Sequence, residues 1–463
     1  MIDHPMRGDN RWPLLLLAVA VTATLTTVAW TSMTMVVPTY DTPLYETLGH
    51  NLAAGKGFIA RERIAVAELI RPGTVQTTTP NKEVPSAIRA PGYPFFLAIF
   101  YRLGLGTASI IVVQVLLFIL SAVITTAGVR AVTGSEATAV VAGLIVATHL
   151  PTIFFAHVIM SDELFLPMIA GGFFLLWSAG ERGRWRDVAG AAVLFAFAPL
   201  VRPIAMFLPF LCGAYLLMKK RIAMAVLIVL VAIIPSALWT ARNMRVQHVP
   251  MLDGVSSENI LFFHAAEVLI VQGRPVRYAL LAMHENSDFY YRLIHSRPGL
   301  WDKVRVEMRR DGIDPQRSTY LQRCVYYRRI GLRIIREHPF DHLLLTINGV
   351  VHLFAEQYWL LWCFRHDYRE ARTLFLPVSI VMFASAVYGV PRLWRKDRAF
   401  TLLALAFIAY FVILSAEPAT DPRMTIPYVP MYAALSAAGI VRAYGRERAS
   451  RLGNIGPSKM KPV

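Results

Sequence analysis

Cysteine is scarce in this sequence of 463 residues, which contains only Cys212, Cys324 and Cys363. These residues are widely separated, so they provide neither a metal-binding spacing nor an even-numbered disulfide framework. Nucleotide-binding signatures are also missing: there is no Walker sequence, no dinucleotide fingerprint and no serine elbow, and Gly55-Lys56-Gly57 is too short for a phosphate loop. These absences argue against a nucleotide-dependent mechanism and favour a substrate that is already activated.

Acidic residues are outnumbered by basic ones, with 30 Asp and Glu against 47 Lys and Arg and a net charge of +17. Such an excess is typical of nucleic-acid-binding proteins. Here, however, much of the positive charge lies in short loops between apolar segments, as the positive-inside rule predicts for membrane proteins. We therefore predict a membrane protein with no nucleic-acid partner.

Hydrophobic residues are abundant, at 56% of the sequence, and the mean hydropathy is +0.47. Many of them form runs of bilayer-spanning length, for which roughly 20 apolar residues are needed. Only helices and closed barrels satisfy the backbone in lipid, and the runs here are continuous rather than alternating. The sequence therefore predicts an all-α polytopic membrane protein with about ten transmembrane helices and outward-facing loops that bear interfacial helices.

The basic residues also orient the predicted helices. The first apolar run is too long for a removable signal peptide, and each basic cluster up to Arg221 falls on the cytoplasmic side. Both termini are therefore predicted to be cytoplasmic, and loops 38–105 and 241–340 to face outward. The predicted spans cover 13–37, 106–129, 137–158, 164–180, 188–201, 204–218, 222–239, 373–391, 399–416 and 425–441.

The apolar segment 342–363 is predicted to be an interfacial or re-entrant helix. A full crossing there would place the basic clusters around Arg395 and Arg446 outside. Whether the segment spans the membrane is left open by the sequence. The resulting organisation has an N-terminal transmembrane module at 1–240, an outward-facing region at 241–363, and C-terminal transmembrane helices with a cytoplasmic tail at 364–463.

The loop after the first span has a clear helical pattern. Thr42 and Pro43 favour a helix start, and Gly55 and Gly57 favour its end. Apolar residues between them recur at helical spacing, so we expect an amphipathic helix along the membrane surface. The stretch 241–340 is predicted to form short helices packed on the outer face, and its sequence does not indicate a chemistry.

Asp41 is the first candidate for a catalytic residue, because it lies where the chain leaves the first span. An ionisable group near the membrane is a functional hypothesis, and a carboxylate here can act as the general base for an acceptor hydroxyl. The alternative is a helix N-cap, for which aspartate is also favoured. Both roles are compatible with each other.

Asp162 and Glu163 form a second acidic pair at the outward end of the third predicted span. They are candidates for holding an acceptor or a divalent ion. Alternatively, Ser161 caps the next helix and the two acids stabilise its positive end. Two adjacent carboxylates are a weak metal signal, so we expect no cofactor and leave a divalent-cation requirement open.

Four arginines lie at outward membrane boundaries in this topology: Arg89, Arg202, Arg242 and Arg423. A guanidinium group suits phosphate oxygens, although each arginine is also explained by anchoring at the interface. Tyr40, Tyr45 and Tyr93 are candidates for shaping a sugar pocket, or they are ordinary interfacial aromatics.

Taken in order, these motifs resemble a known superfamily, the C-type integral-membrane glycosyltransferases. Its members include bacterial relatives of the dolichyl-phosphate-mannose protein mannosyltransferases and of the lipid A aminoarabinose transferase. The resemblance rests on Asp41-x-x-x-Tyr45, Asn51-Leu52-Ala53-x-Gly55-x-Gly57-Phe58, Arg89-x-Pro91-Gly92-Tyr93-Pro94, Ser161-Asp162-Glu163, Arg202-Pro203, Trp239-Thr240-Ala241-Arg242-Asn243 and Arg423-Met424-Thr425-Ile426-Pro427-Tyr428-Val429-Pro430.

The resemblance implies a polyprenyl-phosphate sugar donor and an inverting transfer on the outer face. It matches Asp41 to the catalytic aspartate of the family, Arg89 and Arg423 to positions near the donor phosphate, and Asp162 and Glu163 to a second acidic motif. Met424 replaces a residue that is usually aromatic. The long basic region 241–340 leaves the acceptor open.

We therefore predict a membrane-embedded glycosyltransferase that moves a sugar from a polyprenyl-phosphate donor to a hydroxyl of a glycolipid, polysaccharide or protein. It is expected in the plasma (bacterial inner) membrane, with its active site facing the periplasm or exterior. The alternative is a polytopic transporter or flippase for a lipid-linked or anionic substrate, although the internal repeats common in transporters are absent from the sequence. A non-catalytic assembly subunit is a third possibility.

Overall fold

The computed structural model describes residues 41–61, 83–276, 287–355, 368–416 and 422–453. The predicted first span, Tyr40, Cys363 and the end of the predicted interfacial segment lie outside these described residues.

The described chain is built almost entirely of helices. In chain order, and together with two short strands, they are α1 (Thr42–Ala53), β1 (Ile59–Arg61), β2 (Glu83–Pro85), α2 (Gly92–Arg102), α3 (Thr107–Thr133), α4 (Glu136–Ala147), α5 (Leu150–Phe155), α6 (Asp162–Arg182), α7 (Trp185–Val201), α8 (Leu208–Met218), α9 (Ile222–Gln247), α10 (Val255–Asn259), α11 (Ala266–Val271), α12 (Ser287–Arg310), α13 (Tyr320–Glu337), α14 (Pro339–Ala355), α15 (Tyr368–Lys396), α16 (Arg398–Ser415) and α17 (Val429–Gly453). Short 3₁₀ helices cover Pro203–Ala205 and Pro422–Tyr428, and Ile260–Ala265 is a π-helix.

Six helical segments within the described residues are long and apolar enough to cross a membrane. Their bounds are Thr107–Thr133, Asp162–Arg182, Ile222–Gln247, Leu376–Lys396, Arg398–Ser415 and Arg423–Ala443. An all-α, multi-pass membrane protein is therefore confirmed, whereas the predicted total of ten spans stays a prediction.

The predicted single span at 137–158 is wrong, because the structure divides it into α4 and α5. Between them, His149 has an extended backbone with φ −71° and ψ 108°. Pro151 follows two residues later and has no backbone N–H for a continuing helix. The break is stabilised by His149 itself, whose Nδ1 lies 2.7 Å from the Thr152 hydroxyl.

The outward region also differs from the prediction of short helices. Alongside the short α10 and α11, it contains α12 with 24 residues and α13 with 18 residues. A complete capping box fixes the start of α13, because the Thr319 side chain and Gln322 each bond the other's backbone N–H. In addition, α9 continues to Gln247, beyond the predicted module boundary at 240.

The sequence analysis did not anticipate the small antiparallel ribbon formed by β1 and β2. Ile59 pairs with Pro85, Ala60 with Val84, and Arg61 with Glu83. Each strand has three residues, which is too short for an alternating pattern to stand out from its surroundings.

Buried apolar residues form two main cores within the described residues. The larger lies among the apolar helices and includes Phe173 and Phe407. The smaller lies among α10–α13, in the region predicted to face outward, and includes Phe262 and Leu321. The segment between β2 and α2 joins the cores, because Ile88 belongs to the smaller and Tyr93 to the larger. Arg89 therefore lies at their junction.

Candidate active site

Asp41 lies at the N-cap position of α1, but its side chain makes no capping hydrogen bond. Its Oδ1 instead accepts a hydrogen bond from Nη2 of Arg89, and its Oδ2 lies 3.7 Å from Nη1 of Arg423. The side chains of Asp41, Arg89 and Arg423 are 17%, 20% and 22% exposed, respectively. Asp41 is therefore the centre of a charged cluster with partial access to solvent, and a role limited to capping does not describe it.

Arg89 is held between Asp41 and an aromatic ring. Its guanidinium carbon lies 5.6 Å from the ring centroid of Tyr45, in cation–π range. Burial acts to lower the pKa of Arg89, but Asp41, Tyr45, Glu258 and Tyr320 together outweigh it and raise the pKa above the usual value. Arg89 therefore stays positively charged.

Three consecutive residues before the last apolar helix each contact a polar side chain in or near the Asp41 cluster. Arg423 pairs with Asp41, as described above, from the 3₁₀ helix directly before α17. The Met424 sulfur lies 3.4 Å from Nη2 of Arg202, and the Thr425 hydroxyl lies 3.1 Å from Nε2 of His149. The methionine that departs from the family pattern thus contacts an arginine through a weakly accepting sulfur atom.

Asp162 and Arg202 form a second ion pair beside the first. Nη1 of Arg202 donates to Oδ1 of Asp162, and the side chains are 11% and 1% exposed, respectively. Glu163 is fully buried, and neither of its carboxyl oxygens has a hydrogen-bond partner within the described residues. Ser161 occupies the N-cap position of α6 without a side-chain cap bond, so its predicted capping role is wrong.

The electrostatics of the cluster favour an anion. Burial alone would raise the pKa of Asp41, but Arg89, Arg423 and the nearby Arg202 together hold it below the usual aspartate value. Asp41 is therefore ionised at neutral pH. Since Asp162 balances Arg202, the Asp41 cluster contains one carboxylate and two guanidinium groups, an excess of positive charge suited to phosphate.

Residues 88–239 of this sequence match the family model described as dolichyl-phosphate-mannose-protein mannosyltransferase. The predicted resemblance to the membrane glycosyltransferases is confirmed. The matched segment contains Arg89, Asp162 and Arg202, whereas Asp41 and Arg423 lie outside it.

A solved structure is also similar to this chain. It is the crystal structure of ArnT from Cupriavidus metallidurans bound to undecaprenyl phosphate, with 15% sequence identity and a TM-score of 0.38. The match covers 96% of this chain and 81% of that chain. No curated protein matches the sequence.

Arg242 supports the ribbon that follows α1. Its Nη1 donates to the Ser86 carbonyl at 2.6 Å, and its Nη2 to the Phe58 carbonyl at 3.2 Å. The guanidinium also lies 4.8 Å from the ring centroid of Trp239. These contacts explain Arg242 as a structural link between α9 and the backbone on both sides of the ribbon.

Two of the tyrosines predicted to shape the site, Tyr45 and Tyr93, pack next to each other, and Tyr45 also packs next to Arg89. Tyr93 is fully buried, and its hydroxyl donates to Oε1 of Gln114 at 2.5 Å. Gln114 Nε2 in turn donates to the carbonyls of Ala156 and Val158, at 3.1 and 2.8 Å. The ring of Tyr45 packs edge-on against that of Tyr93, with centroids 4.9 Å apart. Tyr93 therefore positions Tyr45, which contacts Arg89.

Sequence reasoning missed a group of acidic and phenolic side chains that also interact with Arg89. Glu258 on α10 and Tyr320 on α13 both interact electrostatically with Arg89. Asp253, immediately before α10, also does so. These residues are far from Arg89 in the sequence, so no motif predicts their proximity. They become its neighbours only when α10 and α13 pack on the segment at 86–89.

Within the described residues, no group of three or more His, Cys, Asp or Glu side chains is arranged to hold a metal ion. The expectation that no cofactor is needed, and the open question of a divalent cation, therefore stay at the level of prediction.

Proposed function

We propose that this protein transfers a sugar from a polyprenyl-phosphate donor to an acceptor hydroxyl at the outer face of the membrane. The main support is the convergence of Asp41, Arg89 and Arg423 at a partly exposed position beside the apolar helices. The match of residues 88–239 to a mannosyltransferase family supports the same chemistry.

The first step of the proposal is phosphate binding. Arg89 and Arg423 both offer guanidinium donors, which form strong charge-assisted hydrogen bonds with phosphate oxygens. In the structure these donors face the Asp41 carboxylate. An incoming phosphate competes with Asp41 for them, while its prenyl chain lies along the exposed apolar surface.

The second step is the transfer itself. The acceptor oxygen forms a bond to the anomeric carbon as the bond from that carbon to the phosphate oxygen breaks, and polyprenyl phosphate leaves. Arg89 and Arg423 stabilise the negative charge that grows on the phosphate. Asp41 accepts the proton of the attacking hydroxyl, and attack opposite the leaving group inverts the anomeric configuration.

Donor binding and proton transfer are linked through the same carboxylate. The two arginines hold the pKa of Asp41 low in the described structure, although burial opposes them, which makes the carboxylate a weak base. When phosphate engages the guanidinium groups, this electrostatic stabilisation of the carboxylate weakens. Asp41 then becomes more basic at the stage when the acceptor proton must be removed.

The deciding experiment is the Asp41→Asn substitution in the full-length protein. It removes the proton acceptor while keeping the side-chain size, so we expect sugar transfer to fall by about 10²-fold or more. Transfer is measured with radiolabelled donor in membranes of matched protein content. The control Asp302→Asn changes a carboxylate that is 67% exposed on α12, and wild-type activity is expected. Near-wild-type transfer by the Asp41 variant would refute the assignment.

A further inference from the structure

The neighbourhood of Arg89 extends beyond the Asp41 cluster to the start of α10. The backbone N–H of Gly254 donates to the Ala87 carbonyl at 3.1 Å, which fixes α10 beside the segment that contains Arg89. Gly254 leaves no room for a side chain, because a Cβ atom would collide with the ring of Tyr320. The close fit brings Glu258 of α10 and Tyr320 of α13 into electrostatic contact with Arg89.

Three buried polar atoms in this neighbourhood are unsatisfied. Oε1 of Glu258, the Tyr320 hydroxyl and Nε of Arg89 make no hydrogen bond of ordinary length within the described residues. The side chain of Tyr320 is only 2% exposed, and its hydroxyl interacts with the Glu258 carboxylate. Buried polar atoms without partners are costly, so their clustering points to a ligand that supplies the missing hydrogen bonds.

The protonation of the acidic groups is consistent with a binding role. Burial raises the pKa of Glu258 to about 7, against the opposing effect of Arg89. Burial similarly raises the pKa of Asp253 to about 6. The titratable groups that interact with Glu258 are Asp41, Arg89, Asp253, Tyr320, Cys324 and Tyr327. Tyr320, Cys324 and Tyr327 have pKa values raised by burial and stay neutral at pH 7.

We propose that Glu258 and Tyr320 form the subsite for the hydroxyl groups of the donor sugar, an inference that rests on the proposed transferase function. The sugar is joined directly to the donor phosphate, so a phosphate held by Arg89 places the sugar ring beside that arginine. Asp41 and Arg423 pair with each other beside Arg89, and Glu258 on α10 and Tyr320 on α13 also interact with that arginine. An ionised Glu258 accepts hydrogen bonds from sugar hydroxyls, and Tyr320 donates one to a sugar oxygen.

The test compares two kinds of lipid bound to the purified full-length protein in nanodiscs. One kind is undecaprenyl phosphate without a sugar, and the other is undecaprenyl phosphate that carries mannose or another hexose. The wild type is expected to bind at least one glycosylated lipid more tightly than the sugar-free lipid. Glu258→Gln and Tyr320→Phe should each reduce this difference by about 10-fold or more, because each removes a hydrogen bond to the sugar. Binding of the sugar-free lipid should be unchanged.

The pH dependence provides a second measurement. In the wild type, binding of the glycosylated lipid, a phosphodiester whose own charge does not change near pH 7, should strengthen as the pH rises through about 7, because Glu258 becomes ionised. Glu258→Gln should lose this increase. Glu337→Gln, which changes an exposed carboxylate elsewhere on α13, is the matched control and should behave as the wild type.

Thermal unfolding separates a binding role from a structural one. The pKa of Glu258 is raised on folding, so its ionisation above pH 7 opposes the folded state, and Glu258→Gln should be at least as stable as the wild type at pH 8. Loss of stability together with loss of binding would overturn the proposed subsite, as would an unchanged lipid preference in Glu258→Gln. If the wild type binds neither lipid, the proposed transferase function itself fails.

Discussion

At the scale of single residues, the charged side chains near Asp41 differ sharply in their surroundings. The Asp41 cluster is partly exposed, whereas Asp162 and Arg202 are almost completely buried. A buried ion pair becomes strongly unfavourable when one member is lost, because the other charge remains without compensation. The Asp162–Arg202 pair is therefore expected to matter for folding, and the Asp41 cluster for chemistry.

Asp162→Asn tests this distinction. It leaves the Arg202 guanidinium buried without a carboxylate, so we expect a loss of about 3–5 kcal/mol in the free energy of unfolding. The measurement is unfolding of the detergent-solubilised protein by heat or denaturant. Asp302→Asn breaks the exposed pair with Arg305 and should cost less than about 1 kcal/mol. Equal effects of the two substitutions would contradict the structural role assigned to Asp162.

Position at predicted outward boundaries pointed to Asp41 and to four arginines alike, and only the family resemblance singled out Arg89 and Arg423 among the arginines. The sequence could not show that Arg242 binds the backbone on both sides of the ribbon, since that depends on how α9 packs against it. Glu258 and Tyr320 were missed for a similar reason. Their proximity to Arg89 arises from tertiary packing between segments distant in sequence.

At the scale of secondary structure, long apolar helices were predicted well and interruptions were predicted poorly. Hydropathy identifies α3 and α16 directly, because each consists of one continuous apolar run. The division between α4 and α5 depends on backbone geometry at His149 and a proline, within a segment whose overall hydropathy still fits one span. The ribbon is too short for pattern recognition.

One close helix contact involves glycines on α15 and α17. A Cβ atom on Gly439 would collide with the Ser385 carbonyl, and one on Gly389 with the Leu435 carbonyl. The absence of side chains therefore allows the two backbones to approach closely, as small residues do at helix interfaces in membranes.

Gly439→Ala is expected to separate α15 from α17 and to lower the free energy of unfolding by about 1–3 kcal/mol, the usual cost of overpacking. Thermal unfolding in detergent provides the measurement. Gly106→Ala is the matched control, because nothing lies within 4 Å of a Cβ atom at that position. A Gly439 variant as stable as the Gly106 variant would show that the close contact between α15 and α17 does not determine the stability of the protein.

At the scale of the whole molecule, the proposed chemistry requires the Asp41 cluster and the outward helices to face the same side of the membrane. The structure supports this arrangement internally, because α10 and α13 contact the segment that carries Arg89. The side of the membrane to which they face is a prediction from the distribution of basic residues.

Cysteine labelling tests the orientation. In a Cys363→Ser background, the remaining native cysteines Cys212 and Cys324 are buried. A membrane-impermeant maleimide added to intact cells should label Arg317→Cys between α12 and α13, where the native side chain is 91% exposed. Trp185→Cys, at the start of α7, should be labelled only after permeabilisation. The opposite pattern would reverse the predicted topology.

The glycine contact between α15 and α17 also has a consequence for how the protein senses its lipid surroundings. Arg423 lies six residues before Val429, where α17 begins, so the depth of its guanidinium group in the bilayer follows the vertical position of that helix. Because α17 fits closely against α15, a change in acyl-chain length would tilt the two together. Bilayer thickness is therefore expected to influence how well Arg423 meets the headgroup of the proposed prenyl donor.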